Sequence, residues 1–234
     1  MATESFSPPP PPPAPAAGAA RRSRTIHAAL QREIVLGFIA PCAVVLEMDL
    51  AQRFGVSQGT VREALLSLQE EGLVHRQGHR GTTVADCRAA DAEELIRLRH
   101  DIECRGVRRA LQRGGRVAAK VLREELAAMR NAASEGDEYR LSVHARAFHM
   151  RLYELADLPL VQPVLARALV HAHRFKILHP NQGRDLMATA NRHQTILDAV
   201  EAGDSDRAAA ALSHHIMTIV DLGPNILEEG RSPA

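Results

Sequence analysis

Tryptophan is absent from this 234-residue chain, and aromatic side chains make up only 3% of it. A surface that stacks unpaired bases needs several aromatic platforms, so single-stranded nucleic acid is excluded as a main ligand. Cysteine is scarce too. Cys42, Cys87 and Cys104 are odd in number and lack metal-ligand spacing, which excludes a disulfide framework and fits a reducing cytoplasm. No apolar run approaches the length needed to span a membrane. Neither charge dominates: 29 Lys plus Arg face 28 Asp plus Glu, for a net charge of +1. Within residues 21–80, eight Arg stand against six acidic residues. That mild excess suits a small module with few phosphate contacts and would not by itself assign one.

Proline is concentrated rather than scarce. Residues 8–13 are an unbroken proline run, followed by an Ala-rich stretch and then Arg21, Arg22 and Arg24. Such a segment cannot bury enough apolar surface to offset its ordering entropy, so residues 1–24 read as a disordered tail. Without a continuous apolar core, and with its basic residues after the prolines, it does not read as a signal peptide. The arginines either touch phosphates non-specifically or keep the tail soluble.

The most informative stretch begins at Ser57 and runs Gln58-Gly59-Thr60-Val61-Arg62-Glu63-Ala64-Leu65 to Leu68 and Gly72. Ser57 is placed to cap a helix and Gly72 to end it. Val61, Leu65 and Leu68 recur at spacings of four and three, so one stripe is apolar while Gln58, Thr60 and Arg62 point elsewhere. A polar, short-sided first turn on an amphipathic helix is what a DNA-groove reader needs. Upstream, residues 46–55 read as a shorter helix closed by Gly55, and two helices so joined make a helix-turn-helix. Residues 25–37 supply a further helix with Ile26, Leu30 and Ile34. Residues 73–77 and 82–85 are strand-like runs around the basic tip Gly78-His79-Arg80-Gly81. Three helices and a two-stranded wing make a winged helix.

Residues 25–86 resemble the DNA-binding domain of GntR-type bacterial transcription regulators. The resemblance rests on the aliphatic-Ala-Pro turn after the first helix, on the E-x-x-L-A-x-x-x-G-V-S run from Glu47 to Ser57, and on V-R-E-A-L-x-x-L-x-x-E-G-L-V from Val61. Three positions depart from it: Cys42 replaces a Gly, Gln58 an Arg, and Met48 an Arg. The resemblance implies base contacts at Gln58 and Met48. Arg62, with Ser57 and Thr60 beside it, reads as a base or phosphate contact or as a solvated helix arginine, and His79, Arg80 and Gly81 at the wing tip as backbone or minor-groove contacts or as an ordinary polar turn. Gln pairs with adenine where Arg prefers guanine, so an altered operator is expected.

From about residue 91 to 229 the pattern is helical throughout, and Gly114-Gly115, Gly136-Asp137, Leu158-Pro159, residues 180–183 and Gly203-Asp204 divide it into about six helices. The expected organisation is mainly α: a tail to 24, a winged helix at 25–86, a linker at 87–91 and an all-helical domain at 92–228. His149, His193 and His215 each lie on an apolar stripe, so all three are expected to point inward. A lone inward His is usually a hydrogen-bonded core residue, but three on separate helices suggest convergence, and imidazole is a common zinc ligand.

This half resembles the FCD domain of the FadR-like branch, through Phe148-His149, His193 and the run from Asp204 to His215-Ile216. In many members an Asp four residues before the first His completes a metal site; this chain has Ala145 there, and His144 lies about 140° around the helix from His149. Two readings stay open: a three-His site for one divalent metal such as zinc, or a metal-free pocket that binds an anion directly. Arg99 resembles the family's effector-facing arginine, and it also stands at helix-pair spacing from Glu103. Arg174 is a second pocket candidate. No Asp or Glu shares a helical face with the three histidines, which argues against the alternative of a three-His metal-dependent hydrolase, since that chemistry needs a general base. The expected function is a non-enzymatic cytoplasmic homodimer that binds palindromic double-stranded DNA and represses until a small carboxylate effector binds the helical domain. A third class, an architectural DNA binder, would bind any sequence and ignore metabolites.

Overall fold

The computed structural model describes residues 17–76, 81–114, 119–179 and 185–218. Its first helix, α1 (Ala17–Val35), begins eight residues before the expected start, so residues 17–24 belong to a helix rather than to a tail. Ile26, Leu30, Ile34 and Val35 keep one face of α1 buried. After β1 (Val44–Val45), α2 (Glu47–Phe54) closes at Gly55, which is left-handed. Helix α3 (Gln58–Glu70) starts at Ser57, whose hydroxyl accepts the Thr60 amide. Gly72 at φ +73° turns the chain out of α3. Its hydrogen also leaves room for Arg167, whose guanidinium would lie 2.3 Å from a Cβ there.

Strands β2 (Val74–Arg76) and β3 (Thr82–Val84) form the expected hairpin. The sheet has a third strand that the sequence reading lacked. β1 pairs antiparallel with β3, Val44 opposite Thr83, giving the order β1-β3-β2. Two residues carry too short a pattern to be read as a strand; β1 exists because β3 offers it an edge. Val61, Leu65, Leu68, Leu73, Val74 and Val84 close the small core with α1 and α2, and Val170 from the helical domain completes it.

The second domain opens with α4 (Ala89–Gln112), which starts inside the expected linker and shortens it. Then come α5 (Ala119–Ser134), α6 (Glu138–Glu154), α7 (Gln162–Leu178), α8 (Leu186–Asn191), α9 (Gln194–Ala202) and α10 (Ser205–Thr218). Among the described residues the bundle therefore has seven helices rather than about six. The extra break falls between α8 and α9, immediately before His193, where neither Gly nor Pro marks it in the sequence. Asp137 caps α6 by accepting the Arg140 amide, and Asp204 accepts the Arg207 amide at the start of α10. The bundle core joins Ile96, Leu122, Leu126, Phe148, Leu152, Ile196, Leu212 and Ile216. Helix α7 is mostly buried from Ala168 to Lys176, because the bundle packs on one face of it and the winged helix on another, while Pro163, Val164, Ala166 and Arg167 stay exposed.

Candidate functional sites

Helix α3 presents Gln58 and Arg62 to solvent at its first turns, with the exposed Met48 on neighbouring α2. Arg62 is held from below. Its Nε and Nη2 donate to Glu47 Oε2 at 3.2 and 2.8 Å, while Arg76 Nη2 from β2 donates to Glu47 Oε1 at 3.0 Å. The hydrogen bond from Arg62 holds the Glu47 carboxyl below its usual range. Thr60 departs from expectation: it is buried, and its hydroxyl lies 3.0 Å from Ser57 Oγ, so it completes the cap instead of facing outward. Gly81 sits at φ +88° beside β3. His79 and Arg80 lie outside the described residues.

The three histidines converge as expected. Their ring centroids are 5.3 Å (His149–His193), 5.2 Å (His149–His215) and 4.4 Å (His193–His215) apart. One nitrogen from each falls within 4.8 Å of the others, and all three residues are buried. Burial favours neutral imidazole, so His149 is shifted below its ordinary pKa and His193 and His215 well below it. The neighbours assign the tautomers. His193 Nδ1 donates to the Ala190 carbonyl at 3.2 Å, which leaves Nε2 as a lone pair. His149 Nδ1 donates to Glu103 Oε2 at 2.5 Å, and its Nε2 accepts from Arg99 Nη2 at 2.8 Å.

Glu103 is the residue that sequence reasoning missed. The expectation of no carboxylate near the histidines considered only neighbours on each histidine's own helix, whereas Glu103 reaches His149 from α4. A signal was present: Ala92, Ile96, Arg99, Glu103, Val107 and Ala110 form one stripe at spacings of three and four, and two charges on an apolar stripe need a buried partner. Burial works to raise the Glu103 pKa, but Arg99 and His149 together bring it to about 2. Both readings of Arg99 therefore meet in one place, since it pairs with Glu103 and also faces the cluster. His144 points elsewhere, donating to Glu125 at 2.8 Å.

Arg174 is a correction. Its guanidinium donates to the carbonyls of Ala85 at 2.8 Å and Asp86 at 3.2 Å, so it fastens the interdomain linker and does not enter the histidine pocket. Nothing in its sequence neighbourhood separates the two possibilities, because its partners are main-chain atoms almost ninety residues away.

The donor chemistry fits a divalent cation. His193 Nε2 and both nitrogens of His215 are buried without a hydrogen-bond partner, a costly state that a metal ion would relieve at His193 Nε2 and at one nitrogen of His215. The carboxylate of Glu103 behind His149 is the outer-shell partner that usually orients a metal-binding imidazole.

A winged helix with an exposed arginine on its reading helix, joined to a helical bundle with a buried histidine centre, defines a DNA-binding transcription regulator. Comparison with known proteins agrees: residues 22–84 match the model for bacterial regulatory proteins of the gntR family, and residues 94–218 match the FCD domain. The chain belongs to the GntR family and carries an FCD domain. It is 31% identical over 188 residues to a probable D-xylose utilization operon transcriptional repressor of Paenarthrobacter nicotinovorans, covering 79% of this chain and 80% of that protein. The HTH-type transcriptional repressor RspR of Escherichia coli K12 is 26% identical over 210 residues, 88% and 91% of the two chains. Among solved structures, E. coli McbR/YncC superposes with a TM-score of 0.71 at 20% identity, covering 90% of this chain and 99% of that one. A putative GntR regulator from Rhodococcus sp. RHA1 gives 0.64 at 26% identity, with 84% and 94% covered. These relatives are regulators, so the hydrolase alternative finds no support.

Proposed function

We propose that the protein is a cytoplasmic homodimeric repressor whose helical domain takes a small carboxylate at the His149–His193–His215 centre and thereby loosens its grip on a palindromic operator. The observation that carries this reading is the histidine cluster itself, with three ring nitrogens buried and unpartnered beside the Arg99 guanidinium. His193 and His215 would hold one divalent cation such as zinc, joined by His149 once its Nε2 exchanges the hydrogen bond from Arg99 for the metal, and the cation would supply a Lewis-acid anchor for a carboxylate. Arg99, its charge paired with Glu103, supplies fixed hydrogen-bond donors at the same place. With Ala145 where related sites carry an Asp, the three imidazoles are neutral and Arg99 and Glu103 offset one another. A bound divalent cation would then keep its charge uncompensated until an anion arrives, which favours a carboxylate effector.

DNA reading is assigned to Arg62, Gln58 and Met48, helped by Ser57 and Gly81. Two-fold pairing follows from size, since one winged helix contacts too few base pairs for useful specificity. An effector acts only by binding one domain arrangement better than the other.

The test starts with an operator selected from random duplexes and a zinc determination on protein purified without chelator. Small carboxylates are then screened for release of that operator. Release by a carboxylate that is lost in His193→Ala, with operator affinity intact, supports the reading. Release that persists in His193→Ala moves the effector site elsewhere, and a zinc-free protein that still responds removes the cation from it.

A further inference from the structure

Glu47 occupies a position that an ordinary surface acid does not. Its carboxylate is mostly covered, at 19% side-chain exposure, while the Arg62 side chain it holds is 53% exposed. It opens α2, takes Arg62 from α3 and takes Arg76 from β2, so one carboxylate joins the second helix, the reading helix and the wing. The edge of Arg62 that it engages is Nε and Nη2. That leaves the end fork of the guanidinium, one hydrogen each of Nη1 and Nη2, without a partner among the described residues on a half-exposed side chain. An arginine's end fork matches O6 and N7 of guanine in the major groove. A long side chain that is free to swing would instead collect phosphates, which attract it equally at every sequence.

We propose that Glu47 is a positioning residue for DNA reading: it buttresses Arg62 by its side edge so that the end fork is presented to a guanine, and it sets Arg76 beside the same groove. The proposal rests on Arg62 being a base reader. As a plain surface ion pair Glu47 would matter little, since such pairs contribute modestly to stability and carry no sequence information. Its effects on DNA separate the two roles by sign. Removing an acid from a DNA-facing surface strengthens binding to random DNA, whereas removing a buttress weakens base discrimination.

The experiment uses the full chain and an operator selected by the wild-type protein from duplexes randomised over about 20 base pairs, a length that spans two half-sites. Affinities are measured for every single base-pair change, at two salt concentrations, for wild type, Glu47→Gln, Glu47→Asp, Arg62→Ala and the Arg62→Ala/Glu47→Gln double variant. The wild type is expected to lose on the order of tenfold at one G·C pair in each half-site, and Arg62→Ala to abolish that preference. Glu47→Gln should reduce the same preference at least about threefold while binding random DNA as tightly as wild type or more so, with Glu47→Asp between them. The double variant should match Arg62→Ala at that base pair, because a buttress has no effect without its arginine. Thermal unfolding of each variant verifies that it is folded. Undiminished discrimination in Glu47→Gln, or additive losses in the double variant, overturns the positioning role while leaving Arg62 as the reader. An Arg62→Ala protein with unchanged base preference overturns the reading of Arg62, and the buttress with it.

Discussion

Cys42 adopts φ +64°, a left-handed conformation that costs a residue with a Cβ roughly 1–2 kcal/mol. It sits where the GntR-like pattern carries Gly, and its exposed side chain offers little burial in return. Cys42→Gly relieves that strain but gives the unfolded chain about 0.4–1 kcal/mol of extra freedom, so a net gain of roughly 0.5–1 kcal/mol is expected. Chemical denaturation reads it directly, and a lower midpoint at unchanged slope would show that strain at Cys42 is not limiting. The sequence signalled this position only because a pattern called for glycine. Ala145 is a second such position. It is buried one turn before His149, so Ala145→Asp puts a carboxylate on the face of the cluster. Without metal, an unpaired buried carboxylate destabilises the fold by about 2 kcal/mol or more. Zinc affinity is expected to rise about tenfold or more, because a fourth ligand and a compensating charge enter together. Competition against a chelating dye measures it, and unchanged affinity would place the cation away from this face. Glu103 was legible only as half of a helix pair, because spacing along one helix does not reveal what another helix brings opposite.

Most elements were legible where a single feature dictates them: Ser57 caps α3, Asp137 caps α6, and the Val61-Leu65-Leu68 stripe buries α3. Elements set by their neighbours were not. β1 needs β3, the break between α8 and α9 carries no Gly or Pro, and α7 shows little amphipathicity because both domains bury its second half while Pro163, Val164, Ala166 and Arg167 of its first turns stay exposed. The polar residues of α7 become intelligible once both domains are in place. Arg174 holds the linker, and His171 Nε2 donates to the Glu71 carbonyl at 3.1 Å, joining α7 to the end of α3. Burial pulls the His171 pKa from 6.5 to about 4, although the Glu71 carbonyl favours its charged form. The folded state thus binds a proton less readily than the unfolded state between those values. Its stability falls as pH drops from 6.5 toward 4, and His171 contributes at most about 3 kcal/mol of that loss. His171→Gln keeps a donor but cannot titrate, so the fall should be shallower by that share, with the remaining buried histidines supplying the rest. Urea midpoints at pH 7, 6, 5 and 4.5 test it, and identical slopes in wild type and variant would assign the whole dependence to the other histidines.

At the scale of the molecule, the two domains meet where Val170 of α7 enters the winged-helix core and through a hydrogen-bonded set centred on Glu71, at the end of α3. Its carboxylate accepts from His27 Nε2 at 2.9 Å and Gln31 Nε2 at 2.7 Å. The other end of the Gln31 amide accepts from Tyr139 Oη at 2.9 Å and from Arg146 Nη2 at 3.4 Å, both on α6. Helix α6 also carries His149, three residues beyond Arg146. Gln31 is therefore one link between the reading helix and the helix that enters the histidine centre. Beside the packed Val170 the Glu71 set is polar, and Glu71 also helps line two hollows of about 380 and 190 Å³. A change of angle at this interface must shift Val170 within that core as well as exchange these hydrogen bonds. Under the proposed function the coupling is reciprocal, so DNA bound at α3 would change the bundle's affinity for its effector by the factor that the effector changes DNA binding. Operator DNA is accordingly expected to change amide-exchange protection in residues 139–150. Gln31→Ala should remove most of that change while shifting operator affinity less than about threefold, because the side chain lies away from the DNA face. If the variant binds operator and α6 still responds in full, the signal crosses elsewhere, and α7 with its Arg174–linker contact becomes the next element to alter.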